Sequence, residues 1–332
     1  LGREMEDERL DAETAIHEQL DDEVGDDLLR LIFTSCHPVL PPESRVALTL
    51  RLIGGLTTEE IARAFLANDT TIGQRIVRAK RTIAEAGVPF EVPRGTEREE
   101  RVASVLGVLY LIFNEGYSAT AGEDWMRPQL CEEAMRMGRI LVSLIPEEPE
   151  AHGLLALMEL QHARVRARTN AAGEPVLLPD QNRELWDQMM IRRGLDGLAN
   201  AQRLGGIAGP YTLQAAIAAC HGRARKAEET DWRQIAALYG LLNQVTPSPV
   251  IELNRAVAVS MAEGPAAALP LVDALKASPA LENYHLLYGV RGDMLRKLGR
   301  HTEANLEFRR AAELTRNARE KAFLEGRAAE AI

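Results

Sequence analysis

The sequence predicts an all-α protein, and three observations carry that prediction. Of 332 residues, 46% are apolar but only 5% are aromatic. Alanine, leucine, arginine and glutamate recur throughout, a balance that favours helices because unbranched side chains keep their rotamer freedom there. Apolar residues return at three- and four-residue spacings, and prolines and glycines punctuate those runs at sites suited to helix starts and ends.

The same inventory excludes several classes. No run approaches the roughly 20 uninterrupted apolar residues of a membrane span. The three cysteines, Cys36, Cys131 and Cys220, are widely spaced and form no Cys-x-x-Cys pair, which excludes a disulfide scaffold and fits a reduced compartment. With no charged-then-apolar leader in view, the expectation is a cytoplasmic protein that does not engage membranes. The formal charge of −10 is concentrated at one end. Residues 1–30 hold twelve acids and three bases, and the remainder is nearly neutral. Global charge therefore says nothing against a local nucleic-acid site.

Residues 1–25 lack a clean apolar stripe and read as an acidic, solvated linker. From Asp26, the residues Leu28, Leu29, Ile32 and Phe33 recur at helical spacing until His37-Pro38 stops them. Pro41-Pro42 opens a second helix that reaches Gly54-Gly55, proline being suited to a first helical turn. Thr57 and Glu60 have the spacing of a capping box, which predicts a short helix from about Thr58 to Ala67. Asp69 or Thr70 would cap a longer helix to about Ala86. Pro89 and Pro93 close this set of four helices, the unit 26–93. Two strongly apolar helices follow as a connecting pair within 94–147: Val102 to Phe113, ending at Asn114-Glu115-Gly116, and Leu130 to Ile145.

The segment 148–332 reads as helix pairs. Near its end, Gly292, Ala304, Phe308 and Ala311 stand in the spacing of a tetratricopeptide unit, with Tyr288 and Leu298 at bulky positions. Such a unit needs small residues where its helices cross and a large one to plug the next layer. Three further pairs are inferred upstream: Val250–Ala262 with Pro265–Leu275, Tyr211–His221 with Trp232–Val245, and Glu150–Val165 with Arg183–Leu204. Together they predict a tetratricopeptide-like helical solenoid, whose groove suits a peptide or protein partner. Residues 165–179 are the one candidate for a small hairpin.

The most informative stretch runs from Gly55 to Arg81. A short helix, a tight turn and a longer helix make a helix-turn-helix. Ala62 is small enough for the crossing, and Leu56, Ile61, Phe65, Ile72 and Ile76 can pin its angle. Residues 63–81 hold five bases and one acid. A second helix of this kind enters the major groove at its N-terminal part while bases neutralise phosphates. Gln74 has the geometry to pair bidentately with adenine, and arginine with guanine. Thr70, Thr71, Lys80 and Arg81 are the phosphate candidates on spacing.

Leu40-Pro41-Pro42-Glu43, Gly55-Leu56-Thr57-Thr58-Glu59-Glu60-Ile61-Ala62 and Arg75-Ile76-Val77-Arg78-Ala79-Lys80 together resemble region 4 of an extracytoplasmic-function sigma factor. Three further stretches resemble a subgroup with a long tetratricopeptide-type C-terminal extension. These are Ile112-Phe113-Asn114-Glu115-Gly116-Tyr117, Leu213 to His221, and Ser248 to Val259. The resemblance implies that region 4 reads the −35 promoter element and docks on the β-flap of core RNA polymerase, and that the extension controls activity. It also implies that Gln74, Val77 and Arg78 face bases, with Arg75 assisting. Two departures stand out. No region 2 is found and the chain starts at Leu1, so the expectation is a chain from which region 2 was removed, cleaved or omitted. The turn position that is usually glycine is Leu66.

No constellation predicts an enzyme, a metal site or a cofactor. Cys36-His37 and Cys220-His221 are adjacent pairs, and adjacent ligands rarely both reach one ion. No phosphate-cradling glycine loop occurs. The competing reading is a tetratricopeptide adaptor that binds protein only, its helix-turn-helix pattern being a packing hairpin.

Overall fold

The computed structural model describes residues 24–65, 67–118, 126–171 and 173–330. The acidic segment up to residue 23 and the turn residue Leu66 lie outside the described residues. What is described is all-α, as the composition predicts: fourteen named helices follow a first helix, α1, over 24–35. The chain divides into two compact units, one reaching to Ile112 and including Arg139–Ile145, the other comprising Phe113–Gly138 and everything from Pro146.

The first unit contains α1, α2 (Pro42–Leu52), α3 (Thr58–Ala64), α4 (Asp69–Glu85) and most of α5 (Thr96–Tyr117). Its core is aliphatic with one ring: Phe33, Leu48, Leu50, Ile61 and Ile72 are each at most 1% exposed. Two polar side chains of α5 satisfy carbonyls at the end of α1, where a helix leaves its acceptors unpaired. The buried Arg101 donates to the Phe33 carbonyl at 3.0 Å, and Ser104 donates to that of Cys36 at 2.5 Å. Ser104 in turn accepts from Arg45 of α2 at 2.6 Å.

The second unit takes the first part of α6 (Pro128–Leu144), up to Gly138, and continues through α7 (Pro149–His162), α8 (Gln188–Arg203), α9 (Pro210–Arg223) and α10 (Trp232–Val245). It ends with α11 (Pro249–Glu263), α12 (Pro265–Leu275), α13 (His285–Lys297), α14 (His301–Leu314) and α15 (Ala318–Glu330). From α7 to α15 each helix packs on its sequence neighbours, and α7 also packs on α9. Glycine permits the closest approaches. A Cβ on Gly292 would meet the Phe308 ring at 3.0 Å, and one on Gly153 would lie 2.4 Å from the Thr212 hydroxyl. Ala304 and Ala311 are fully buried beside Phe308, so the small-and-large spacing noted at this end is the spacing of a packed interface.

Two elements differ from expectation. Helix α5 does not end at Asn114-Glu115-Gly116 but runs to Tyr117. The reason is tertiary: Gly116 lies flush against the backbone and sulfur of Cys131, Arg127 pairs with Glu115, and Arg168 stacks on the Tyr117 ring at 3.6 Å. The expected hairpin at 165–179 is a turn with one isolated antiparallel bridge, Thr169 to Pro175, rather than two strands. Gly173 makes the turn at φ 76°, a left-handed conformation cheap only for glycine. Among the described residues no helix is long and apolar enough to cross a membrane.

Candidate nucleic-acid interface

The helix-turn-helix is built as its spacing predicts. Thr57 accepts the Glu60 amide at 3.1 Å and Glu60 accepts the Thr57 amide at 2.8 Å, so the capping box closes reciprocally. Those bonds, from the Thr57 backbone first, hold the Glu60 carboxyl below its ordinary value. Helix α3 stops at Ala64, three residues short of the expected end. Helix α4 starts at Asp69, one residue or two before the expected start, because Asn68 and not Asp69 or Thr70 is the cap: the Asn68 side chain accepts the Thr71 amide at 2.7 Å. Asparagine at this position was readable as a cap, since its carbonyl oxygen serves the role as well as aspartate. Ile61 and Ala62 of α3 and Ile72, Ile76 and Ala79 of α4 are buried, which fixes the inner face of each helix.

All eight proposed contact residues lie on α4, and the buried stripe decides which way each faces. Thr70, Gln74, Val77 and Arg81 stand four, three and four residues apart and are all exposed, forming one outward row. Arg78 and Lys80 are also exposed, while Thr71 and Arg75 are half-buried beside the inner face. Val77 is 66% exposed, an apolar side chain with no packing task on a helix otherwise well patterned. A valine so placed suits contact with a thymine methyl. Arg78 folds back onto its own helix, its Nε donating to the Gln74 carbonyl at 3.3 Å.

Arg81 differs from its neighbours. Its Nε donates to Glu85 at 2.6 Å, an ion pair one turn apart with both side chains exposed. Glu85 was not singled out in the sequence, although its i,i+4 spacing from Arg81 is the signal that finds it. No such pair forms at Arg75, Arg78 or Lys80 among the described residues.

Residues 30–83 match the family described as Sigma-70, region 4. Residues 101–202 match a family of unknown function, DUF6596. An uncharacterized protein of Rhizobium meliloti (strain 1021) is 48% identical over 315 residues, covering 95% of this chain and 74% of its own length. The chain belongs to that protein's family. No solved structure matches it significantly. The helix-turn-helix is thus of the sigma-factor kind, a DNA-binding domain of transcription initiation rather than an enzyme domain.

In this family member the other tempting clusters are accounted for by packing. Cys36, Cys131 and Cys220 are buried free thiols. Cys36 bonds Thr49 at 3.2 Å, and burial is the main cause raising its thiol pKa; burial pushes that of Cys131 up to about 12. His221 stands edge-on to Trp232 with ring centroids 5.1 Å apart. Among the described residues no three His, Cys, Asp or Glu side chains gather as metal ligands.

Proposed function

We propose that this chain is the promoter-reading and regulatory part of an extracytoplasmic-function sigma factor, working in the cytoplasm on core RNA polymerase. In this reading residues 26–93 are region 4, which reads the −35 element and docks on the β-flap. Residues 1–25 are the linker before it, 94–147 a connecting helical pair, and 148–332 a tetratricopeptide-like domain that controls activity and takes a peptide or protein partner. The observation that carries the reading is the outward row of α4 within the region 4 match. Thr70, Gln74 and Val77 are exposed along one stripe, and the cations Arg75, Arg78 and Lys80 flank it without carboxylate partners.

The division of labour follows from the chemistry. Gln74 and Val77 read base edges with Arg78, assisted by Arg75. Thr70, Thr71, Lys80 and Arg81 position the helix on phosphates. A single helix-turn-helix makes few contacts and pays association entropy in full, so binding to free DNA is weak and polymerase supplies the rest.

The test is fluorescence anisotropy of the full chain on labelled promoter duplexes, followed by capture on core polymerase. The expected result is that Arg75→Ala with Arg78→Ala abolishes DNA binding while leaving the helical circular-dichroism signal intact. Unchanged binding by the double variant, together with no retention on polymerase, overturns the reading in favour of a protein-only adaptor.

A further inference from the structure

The first unit concentrates its unpaired cations on one face. Elsewhere in that unit most positive side chains are engaged. Arg30 pairs with Asp26 and Asp27, and Arg101 with Glu97. Arg45 donates to Ser104 at 2.6 Å, and Arg51 to the Leu56 carbonyl at 2.9 Å. On α3 and α4 only Arg81 is held, by Glu85. Arg63, Arg78 and Lys80 are exposed and Arg75 is half-buried. None of these four forms an ion pair among the described residues. Arg75 and Arg78 stand three residues apart on one helix, neighbours of like charge that repel each other. A counter-charge on this face relieves that repulsion.

The same chain carries the complementary charge. Residues 1–23, outside the described residues, hold ten acids against two arginines, a net −8, and no lysine. They join the first unit at Val24, which is 67% exposed at the start of α1. Twenty-three residues span up to about 75 Å when extended. A unit of about 100 residues has a radius of gyration of about 13 Å. The segment therefore has the length to reach any face of the unit it joins. Tethering supplies it there at an effective concentration of about millimolar. Acidic blocks of this density act as interaction segments where a basic surface lies within reach.

We propose that residues 1–23 dock on the cationic face of α3 and α4 and compete there with DNA. Their carboxylates stand in for phosphates at Arg63, Arg75, Arg78 and Lys80, so the face is covered until DNA displaces them. The inference rests on the DNA-binding reading of α4 and adds a regulation to it. The segment offers charge but no base edges. It therefore lowers affinity for every duplex by one factor and leaves discrimination by Gln74 and Val77 intact.

Two measurements on the full chain test this. Carbodiimide joins a carboxylate to a lysine amine that it touches. The five lysines, Lys80, Lys226, Lys276, Lys297 and Lys321, are all exposed. Carboxylates of residues 1–23 should couple to Lys80 at least about fivefold more than to a reference lysine placed in the same unit by Arg94→Lys. Saturating duplex DNA should abolish the Lys80 product. Coupling equal at Lys80 and the reference, or concentrated on the lysines of the second unit, overturns the proposal. The second measurement is anisotropy on a labelled duplex of mixed sequence, at about 0.1 M salt, where exposed charges beyond about 10 Å are screened. Changing Glu4, Glu6, Asp7, Glu8 and Asp11 to their amides should raise affinity about tenfold. The same change at the exposed Glu184, Glu263, Glu282, Glu325 and Glu330 should raise it less than about twofold. Equal gains from the two sets, or no gain from the first, overturn the proposal. Coupling at Lys80 without DNA binding by any form sinks the DNA-binding reading, and the competition with it, while the contact itself stands.

Discussion

Glu150 caps a helix that begins sixty residues further along the chain. Its Oε1 accepts the Thr212 amide at 3.0 Å and the Thr212 hydroxyl at 2.5 Å, while Oε2 accepts the Tyr211 amide at 2.7 Å. Helix α9 needs this donated cap because its own N-cap, Gly209, has no side chain to offer. The carboxylate also meets the positive end of the helix dipole. Glu150→Ala should therefore lower unfolding stability by about 1–2 kcal/mol, the usual cost of a lost N-cap. Chemical denaturation monitored at 222 nm measures it, and the slope with denaturant should not change.

Gly292 leaves a side chain almost no slack. A Cβ there would sit 3.0 Å from the Phe308 ring, and Phe308 is 2% exposed and cannot swing away. Gly292→Ala gains helix propensity but forces the ring into its neighbours, so a net loss of about 1–2 kcal/mol is expected. Pairing it with Phe308→Leu should recover part of that loss in a double-mutant cycle.

His221 makes the second unit sensitive to acid. Burial, reinforced by the Arg164 and Arg183 guanidiniums, depresses its imidazole to about pKa 3 from 6.5. The unfolded chain then takes up the proton first on acidification, so this group costs nothing above pH 6.5 and removes stability as pH falls toward 3. By pH 4.5, two units below the ordinary value, the loss reaches about 2.7 kcal/mol. His221→Phe, which keeps the edge contact with Trp232, should flatten that part of the stability–pH curve. An unchanged slope between pH 6.5 and 4 refutes the assignment.

Glu85 restrains Arg81. In the DNA-bound reading of α4, Glu85→Gln frees a guanidinium on the outward row and removes a negative charge near phosphate. Affinity for unrelated duplex DNA should rise about two- to fivefold at low salt, and log K should fall more steeply with log salt, by about one charge. A salt titration of the variant beside the parent chain reads both effects.

The elements governed by local chemistry were legible in the sequence. The Thr57–Glu60 capping box, Pro42 in the first turn of α2, and the buried Ile72 and Ile76 depend on residues within one or two turns of each other, and each stands where the spacing put it. What the sequence hid depends on distant partners. The continuation of α5 to Tyr117 is enforced by Cys131, Arg127 and Arg168, none of them near enough in sequence to read. Of the candidate interface, the exposure of Gln74, Arg78, Lys80 and Arg81 was legible from periodicity; Val77 came from the resemblance alone, and Thr71 and Arg75, expected on the outer face, are half-buried. The restraint on Arg81 was overlooked rather than hidden, since Glu85 stands in the very register that should have flagged it.

The connection between α7 and α8 bears on how the second unit comes apart. A stack in which each helix touches only its neighbours unravels from its free end, because the last repeat has a single partner. Here Arg319 of α15 donates to the Gly173 carbonyl at 3.1 Å, joining positions 146 residues apart. That clasp gives the final helix a second anchor near the beginning of the array. Amide protons of α15 should consequently exchange with solvent on the timescale of the whole array rather than earlier. Replacing Arg319 by alanine should release them ahead of the rest, turning a unit that melts as one body into one that peels.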